Sequence, residues 1–290
     1  AEPLRVLGRL KKGYASLLTS MTLGTGQSAG ERVQSCITEM QSVIEKESDN
    51  PYARDVAAGC FACSADAAQG RGENPEPLIR KAIALLEPAV KKNPRFLWGL
   101  NDLAGSYLFL GLYLQLHGNS EAKNLFEQTL HYEREAAALD GTYLTALQNM
   151  LFAYARLVGY ANSESELTDL LAHTDATWRL CSSVNEQYQQ CHINYLAAIA
   201  RTTDRQFLGQ LPADASLQRA RDTISRIQKI GGKFLDAEQF SALALLSQAK
   251  LALTAPAGPQ AALTELQDTI GRCLAIADKD AMCRTLDAQA

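Results

Sequence analysis

The sequence lacks the concentrated residue groups that most catalytic and metal sites require. Its four histidines, His117, His131, His173 and His192, lie in separate segments, and none has a set of metal ligands around it. The Gly-Thr-Gly segment at 24–26 follows no predicted strand, so it does not indicate a phosphate-binding loop. We therefore predict no metal, no cofactor and no enzymatic activity.

Long apolar runs and blocks of one charge are also missing. The longest nearly apolar run, residues 103–116, is shorter than the roughly 20 residues of a membrane-spanning helix and includes Ser106 and Gln115. The net charge is -4 with a pI near 5.7, and lysine and arginine are scattered along the chain. A nucleic-acid-binding surface needs a concentrated basic stripe. These absences predict that the chain neither inserts into a membrane nor binds nucleic acid.

Apolar residues recur at every third or fourth position along the chain, between short polar or Gly- and Pro-containing breaks. This spacing predicts helices, and no sustained alternation of the kind that indicates strands is present. A large or aromatic residue precedes each predicted first helix at separations of 44, 47, 45 and 46 residues: Tyr52, Phe96, Tyr143, Tyr188 and Phe234. The sequence therefore predicts an all-α repeat with a period near 46 residues.

The best-formed part of this repeat is residues 82–107. Small and large residues alternate there at Ala82, Leu86 and Ala89, and Pro94 follows the end of the predicted helix. Where two helices of a hairpin cross, one must offer a small side chain so that a larger one can enter its groove. The same spacing returns in weakened form along the rest of the chain.

This pattern resembles the tetratricopeptide repeat (TPR), with its Trp-x2-Leu-Gly-x2-Tyr, Ala-x3-Phe and terminal Pro signature. The resemblance implies an α-α superhelix, a TPR-like solenoid of about six helical hairpins, although family repeats have about 34 residues rather than about 46. The longer repeats, with Tyr-rich first helices, also resemble arrays that follow the kinase domain of some bacterial serine/threonine protein kinases. This narrower resemblance implies a sensor or scaffold part of a bacterial signalling protein.

We predict one domain over residues 1–290. Its hairpins are expected at 3–50, 51–94, 95–141, 142–187, 188–233 and 234–280, followed by a capping helix at 281–290.

Two of the cysteine pairs have the same spacing. Cys181 and Cys191 lie ten positions apart across a predicted turn, and Cys273 and Cys283 repeat the arrangement. In a helical hairpin such positions can approach the Cα separation of about 5.5 Å that a disulfide requires. The alternative is that they are reduced cysteines that fill small positions in the core.

A third bond is possible in the opening hairpins, where Cys36 could reach Cys60 or Cys63. Disulfides persist mainly in oxidising compartments. If they form, we expect an extracytoplasmic (periplasmic) location; if the cysteines are reduced, a cytoplasmic one.

A partner is expected on the concave face that first helices line in stacked hairpins. The candidate residues combine aromatic groups, amides and arginines, a mixture that suits recognition of a protein or peptide: Trp98, Asn101, Phe109, Gln148, Phe152, Arg156, Ile193 and Arg201. The alternative is structural, with the amides bonding between neighbouring helices and Trp98 packing between repeats.

We predict a non-enzymatic protein-interaction, scaffold or sensor module. The alternative is a small-molecule or lipid-binding protein, in which residues 103–113 would form an apolar central pocket with Phe152 and Tyr154. A further alternative is that the repeats only space and assemble other domains.

Overall fold

A computed structural model describes residues 27–289 except 210, 212, 232–234, 253–259 and 278–280. The predicted first helix of the opening hairpin, the aromatic position at Phe234 and the break at 256–259 lie outside the described residues. The described residues form twelve α-helices and no strand. The helices are α1 Gln27–Ile44, α2 Pro51–Gly70, α3 Glu76–Lys92, α4 Leu97–Leu116, α5 Glu121–Leu139, α6 Leu144–Leu157, α7 Glu164–Val184, α8 Gln189–Leu208, α9 Asp214–Ile230, α10 Leu235–Ala252, α11 Gln260–Ile276 and α12 Ala281–Gln289.

The chain divides into two compact units, Ala1–Ala146 and Leu147–Ala290, called unit 1 and unit 2 below. In unit 1, each helix from α1 to α5 packs against the next, and the first helices α2 and α4 also contact each other. The position of Gly111 on α4 shows how small residues permit this packing. A Cβ atom there would lie 2.8 Å from the ring of Phe126, which is fully buried.

Local signals fix the ends of α2. The Asn50 side chain caps the helix by accepting a hydrogen bond from the Ala53 amide at 3.1 Å, and Pro51 occupies the first helical position. At the other end, Gly72 adopts a φ of 75°, and the Glu73 amide donates back to the Ala68 carbonyl at 2.9 Å. This is a Schellman ending, which glycine adopts without steric cost.

Unit 2 is arranged around α8. This helix packs against α7, α9, α10 and the 3-10 turn Val158–Tyr160, and its residues 191–200 are all buried. Helix α10 in turn packs against α11 and α12. The first-helix pair α8 and α10 is therefore in contact, as is the pair α2 and α4 of unit 1.

The structure places the predicted cysteine pairs at disulfide distance. The Cα atoms lie 6.3 Å apart in Cys36–Cys60, 6.4 Å in Cys181–Cys191 and 6.0 Å in Cys273–Cys283. Of the two partners considered for Cys36, the structure selects Cys60. The remaining cysteine, Cys63, is unpaired and partly buried.

Among the described helices α4 is the most apolar, yet four of its leucines are buried. Leu100, Leu103 and Leu110 are fully buried in unit 1. Within the described residues, no helix combines the length and the apolar character needed to span a bilayer.

Candidate functional site

The predicted partner-binding residues fall into two groups. Trp98, Asn101 and Phe109 lie on α4 in unit 1. The other five lie on the first helices of unit 2: Gln148, Phe152 and Arg156 on α6, and Ile193 and Arg201 on α8.

Unit 1 contains a groove between its first helices α2 and α4, with a volume of about 270 Å³. Asn101 and Phe109 lie on its α4 side, and Cys63 lies on its α2 side. Gly105 also lines it, and a Cβ atom at that glycine would meet no other atom within 4 Å. The open space beside α4 is therefore large enough for a side chain of another molecule.

Two exposed aromatic rings stand at the N-terminal ends of the helices that form the groove. Tyr52 begins α2 and is 51% exposed, and Trp98 begins α4 and is 58% exposed. Their ring centroids are 6.4 Å apart, and Tyr52 also packs edge-on against the buried ring of Phe96 at 5.2 Å. Exposed aromatic pairs of this kind are typical of recognition surfaces.

A pair of carboxyl groups lies one helical turn further along both helices. Asp55 follows Tyr52 by three positions and Asp102 follows Trp98 by four, so each shares a helix face with the aromatic ring before it. The two side chains share a hydrogen bond, and Asn101 donates to an Asp102 oxygen at 3.0 Å. Burial, together with the charge and hydrogen bond of Asp102, raises the pKa of Asp55 to about 8.

Two acceptor atoms in this cluster have no hydrogen-bond partner. They are Oδ1 of Asp55 and Oδ1 of Asn101, and both are shielded from solvent. Tyr143 lies close by, since burial and the charges of Asp102 and Asp55 raise the pKa of its phenol. Buried acceptors are normally satisfied, so the pair marks a place where a hydrogen-bond donor would be favoured.

Asp55, Asp102, Tyr52 and Gly105 were not among the predicted site residues. A signal for the two carboxyls was present, because 47 residues separate Asp55 from Asp102, which is close to one repeat. Equivalent positions of successive first helices lie side by side in a helical-hairpin array.

Unit 1 has a second groove, formed by α3, α4 and α5, with a volume of about 510 Å³. Its charged groups and the Tyr107 hydroxyl already have partners within the chain. Arg80 forms ion pairs with Glu76 and Glu121 at 2.8 Å each, and the Tyr107 hydroxyl donates to Glu87. Satisfied side chains have less to gain from a ligand, so the groove between α2 and α4 is the stronger candidate.

Three of the predicted residues in unit 2 also contact each other or their neighbours. Gln148 accepts a hydrogen bond from the Tyr188 hydroxyl, and its backbone carbonyl accepts from Asn194 at 2.9 Å. The Arg156 guanidinium lies over the Phe152 ring at 4.6 Å. The Asn194 side chain thus bonds to the backbone of a neighbouring first helix, which is the structural alternative given above for amides at such positions.

Ile193 is 3% exposed, so the prediction that it faces a partner is wrong. It belongs to the stretch of α8 that neighbouring helices surround. Arg201 is partly buried, and its Nε has no hydrogen-bond partner. Burial lowers the pKa of this arginine, although the charge of Asp204 opposes the shift.

A polar network packs α8 against its neighbours in unit 2. Fully buried His192 accepts a hydrogen bond from Trp178 at 3.1 Å, and its other ring nitrogen lies 2.8 Å from the Glu186 carbonyl. Trp178 stacks on Tyr195, whose hydroxyl donates to Asp175 at 2.6 Å. Because these groups bond to each other, this arrangement serves packing.

Metal clusters and hydrolase motifs are two further features that could indicate catalysis. Among the described residues, no group of three or more His, Cys, Asp or Glu side chains could hold a metal ion. The letters Gly-x-Ser-x-Gly occur at 26–30. In hydrolases this motif joins a strand to a helix; here Gln27–Gly30 belong to α1, and the residues before them lie outside the described part of the chain.

No protein-family model and no curated protein sequence matches the chain. Solved structures do. The Schizosaccharomyces pombe nuclear import adaptor Nro1 is 15% identical, with a TM-score of 0.62 over 98% of this chain and 100% of that one. The fold is that of a TPR-like helical repeat. This confirms the predicted all-α, α-α superhelix class.

A second Nro1 structure, titled as the hypoxic regulator of sterol synthesis and a nuclear import adaptor, is also similar to this TPR-like chain. It gives a TM-score of 0.61 at 15% identity over 99% of this chain and 92% of that one. TTC0263, a thermophilic TPR protein of Thermus thermophilus, is 17% identical with a TM-score of 0.48 over 81% and 99%. At these identities the likeness concerns the fold alone.

Proposed function

We propose that the chain is a non-enzymatic protein-interaction module that binds a peptide or protein segment in the groove between α2 and α4. The observation that carries this proposal is the combination of exposed Tyr52 and Trp98 with an open groove and unsatisfied acceptors further along the same two helices. Apolar anchors supply binding energy, while the acceptors hydrogen-bond to the ligand. An adaptor is one role that this fold serves in Nro1.

A substitution that fills the groove tests the proposal. Gly105→Leu would place its Cβ atom in open space, with no neighbouring atom within 4 Å, so the helix should stay folded. The probe is a phage-displayed library of random twelve-residue peptides, selected on the immobilised full chain. We expect enriched peptides to bind the wild type and to lose about tenfold or more in affinity for Gly105→Leu.

The matched control is Gly271→Leu on α11 in unit 2, where a Cβ atom also meets nothing within 4 Å. This variant should bind the selected peptides as the wild type does. Failure to enrich any peptide, or equal binding by Gly105→Leu, would count against the groove as the binding site.

We further propose that the module works in an oxidising, extracytoplasmic compartment, as part of a larger signalling protein of bacterial type. The cysteine pairs at disulfide distance support the first part of this proposal. Thiol counting on the purified chain, denatured without reductant, should find one free thiol, that of Cys63. Seven free thiols, equal to all the cysteines of the sequence, would overturn it.

A further inference from the structure

The groove between α2 and α4 has a chemical preference that its residues define. Its lining includes Asn101, whose Oδ1 is an unsatisfied acceptor, and the carboxyl of Asp102. Asp55 is hydrogen-bonded to Asp102 behind this lining, and its Oδ1 is a second unsatisfied acceptor. Within the described chain, neither aspartate forms an ion pair with a lysine or arginine. An incoming group that carries both positive charge and several N–H donors would satisfy all three residues.

We propose that the groove selects peptide segments that place a lysine or arginine side chain against Asp55, Asn101 and Asp102. This inference rests on the proposed function, because it names the chemistry of the segment that the same groove binds. It excludes ligands that present a carboxylate or phosphate at this position, since these would meet Asp102 and two acceptor oxygens.

The aromatic rings at the N-terminal ends of α2 and α4 fit the same ligand. Tyr52 and Trp98 lie one turn before the carboxyl pair on the same helix faces, so a long basic side chain that approaches from the N-terminal ends of the helices would pass their rings. The aliphatic part of lysine or arginine packs on aromatic surfaces, and the charged end is attracted to the faces of such rings. The rings thus offer a packing surface for the aliphatic part of the side chain, and the carboxyl pair offers acceptors for its charged end.

The size of the groove agrees with one long side chain. A volume of about 270 Å³ holds the equivalent of about nine water molecules at roughly 30 Å³ each, enough for one such side chain with accompanying water.

Cys63 provides a reporter at the site. It is the unpaired cysteine, and it lines the groove together with Phe109. A peptide seated in the groove should slow the reaction of this thiol with N-ethylmaleimide, which identifies the site without a substitution near the carboxyls.

The test uses peptides selected from the same random library, with fluorescence anisotropy as the measure of affinity. Each basic residue is replaced in turn by norleucine, which keeps the length of the side chain and removes its charge. We expect one basic position in each peptide to weaken binding about tenfold or more when replaced, and to abolish protection of Cys63.

The protein side of the test is the double variant Asp55→Asn/Asp102→Asn, which preserves shape and removes both carboxyls. Its control is Asp49→Asn/Glu127→Gln, which removes two exposed carboxylates from unit 1 outside the groove. We expect the first variant to lose the preference for the basic residue and the control to change affinity less than about twofold.

The outcomes separate this inference from the proposed function. Peptides that bind the groove and are blocked by Gly105→Leu, yet tolerate norleucine at every basic position, would overturn the inference and leave the function standing. Selected peptides that carry Asp or Glu against the pair would do the same. Binding that Gly105→Leu does not affect, or no peptide binding at all, would overturn both.

Discussion

The same repeat position carries different chemistry in the two units. In unit 1 it holds two carboxyls, Asp55 and Asp102, which lie 47 residues apart and share a hydrogen bond. In unit 2 it holds two amide residues, Gln148 and Asn194, which lie 46 residues apart, and Asn194 donates to the Gln148 carbonyl. An amide supplies both donors and an acceptor, whereas two carboxyls have a single donor between them when they share one proton.

The difference shows how the same backbone arrangement forms a helix–helix contact in unit 2 and a candidate binding site in unit 1. Asn194 is 4% exposed and makes a second hydrogen bond, accepting from Gln190 at 2.9 Å. The pair in unit 2 therefore stabilises contact between two helices. The pair in unit 1 retains an unsatisfied oxygen beside an open groove, so it can gain from a ligand.

The largest expected effect on stability is that of removing a disulfide bond from each unit. Replacing Cys36 and Cys60 with serine should lower the free energy of unfolding by about 3.5 kcal/mol, because that bond closes a longer loop; the same change at Cys181 and Cys191 should cost about 2.7 kcal/mol. Urea denaturation of both variants without reductant measures the difference. Variants that match the wild type would show that the bonds do not stabilise the units.

The next-largest effect is expected when one amide of the pair in unit 2 is replaced by a carboxyl, the group found in unit 1. Asn194→Asp places a buried carboxylate oxygen against the Gln148 carbonyl and should cost about 3 kcal/mol at neutral pH. At low pH the protonated carboxyl can donate, so the loss should shrink. Urea midpoints of Asn194→Asp at pH 5 and pH 8 measure this change in stability. Asp102→Asn, which replaces a carboxyl of unit 1 by an amide, is the reciprocal variant. An equal loss of stability by Asn194→Asp at both pH values would contradict the prediction.

The pH dependence of unit 1 follows from Asp55. Its pKa is raised to about 8 in the folded chain and is about 3.9 when unfolded, so the folded state holds the extra proton between these values. The stabilisation is complete below pH 4 and is lost as the pH rises towards 8, by on the order of 2 kcal/mol after screening.

Hydrogen exchange of α2 between pH 5 and pH 9, corrected for the intrinsic rate, would measure this slope. Asp55→Asn should flatten it, and Asn194→Ala in unit 2 should leave it in place. A wild-type slope of the opposite sign would refute the assignment.

The smallest effect on stability is expected at Trp98. The side chain is 58% exposed, so Trp98→Ala should change the free energy of unfolding by less than about 0.5 kcal/mol. Its effect on peptide binding should nevertheless exceed that of Leu116→Ala, a control at the far end of α4 where the leucine is 77% exposed. Thermal unfolding and anisotropy would distinguish these roles, and equal binding by both variants would remove Trp98 from the site.

Helix type and the cysteine pairs could be predicted from the sequence because both depend on local spacing. Apolar positions every three or four residues indicate helices. The interval of ten residues between Cys181 and Cys191 spans the connection between two successive helices. That the whole chain is one continuous array of hairpins stays a prediction.

The candidate site could be predicted only in part, because it depends on which faces of neighbouring helices meet. Trp98 and Asn101 were found by counting from the packing positions of α4. The same counting failed at Ile193, since α8 is surrounded by other helices and has little exposed surface over residues 191–200. Asp55 was missed because its significance appears only beside Asp102, in the next repeat.

The bond between Cys181 and Cys191 also determines how unit 2 would respond to mechanical force. It joins the end of α7 to the start of α8, so a pull along the chain would pass through the sulfur atoms rather than through residues 182–190. Those nine residues could not extend, which shortens the fully stretched length by roughly 30 Å at about 3.5 Å per residue. In a single-molecule stretching experiment, adding a reductant would release this hidden length as a separate step.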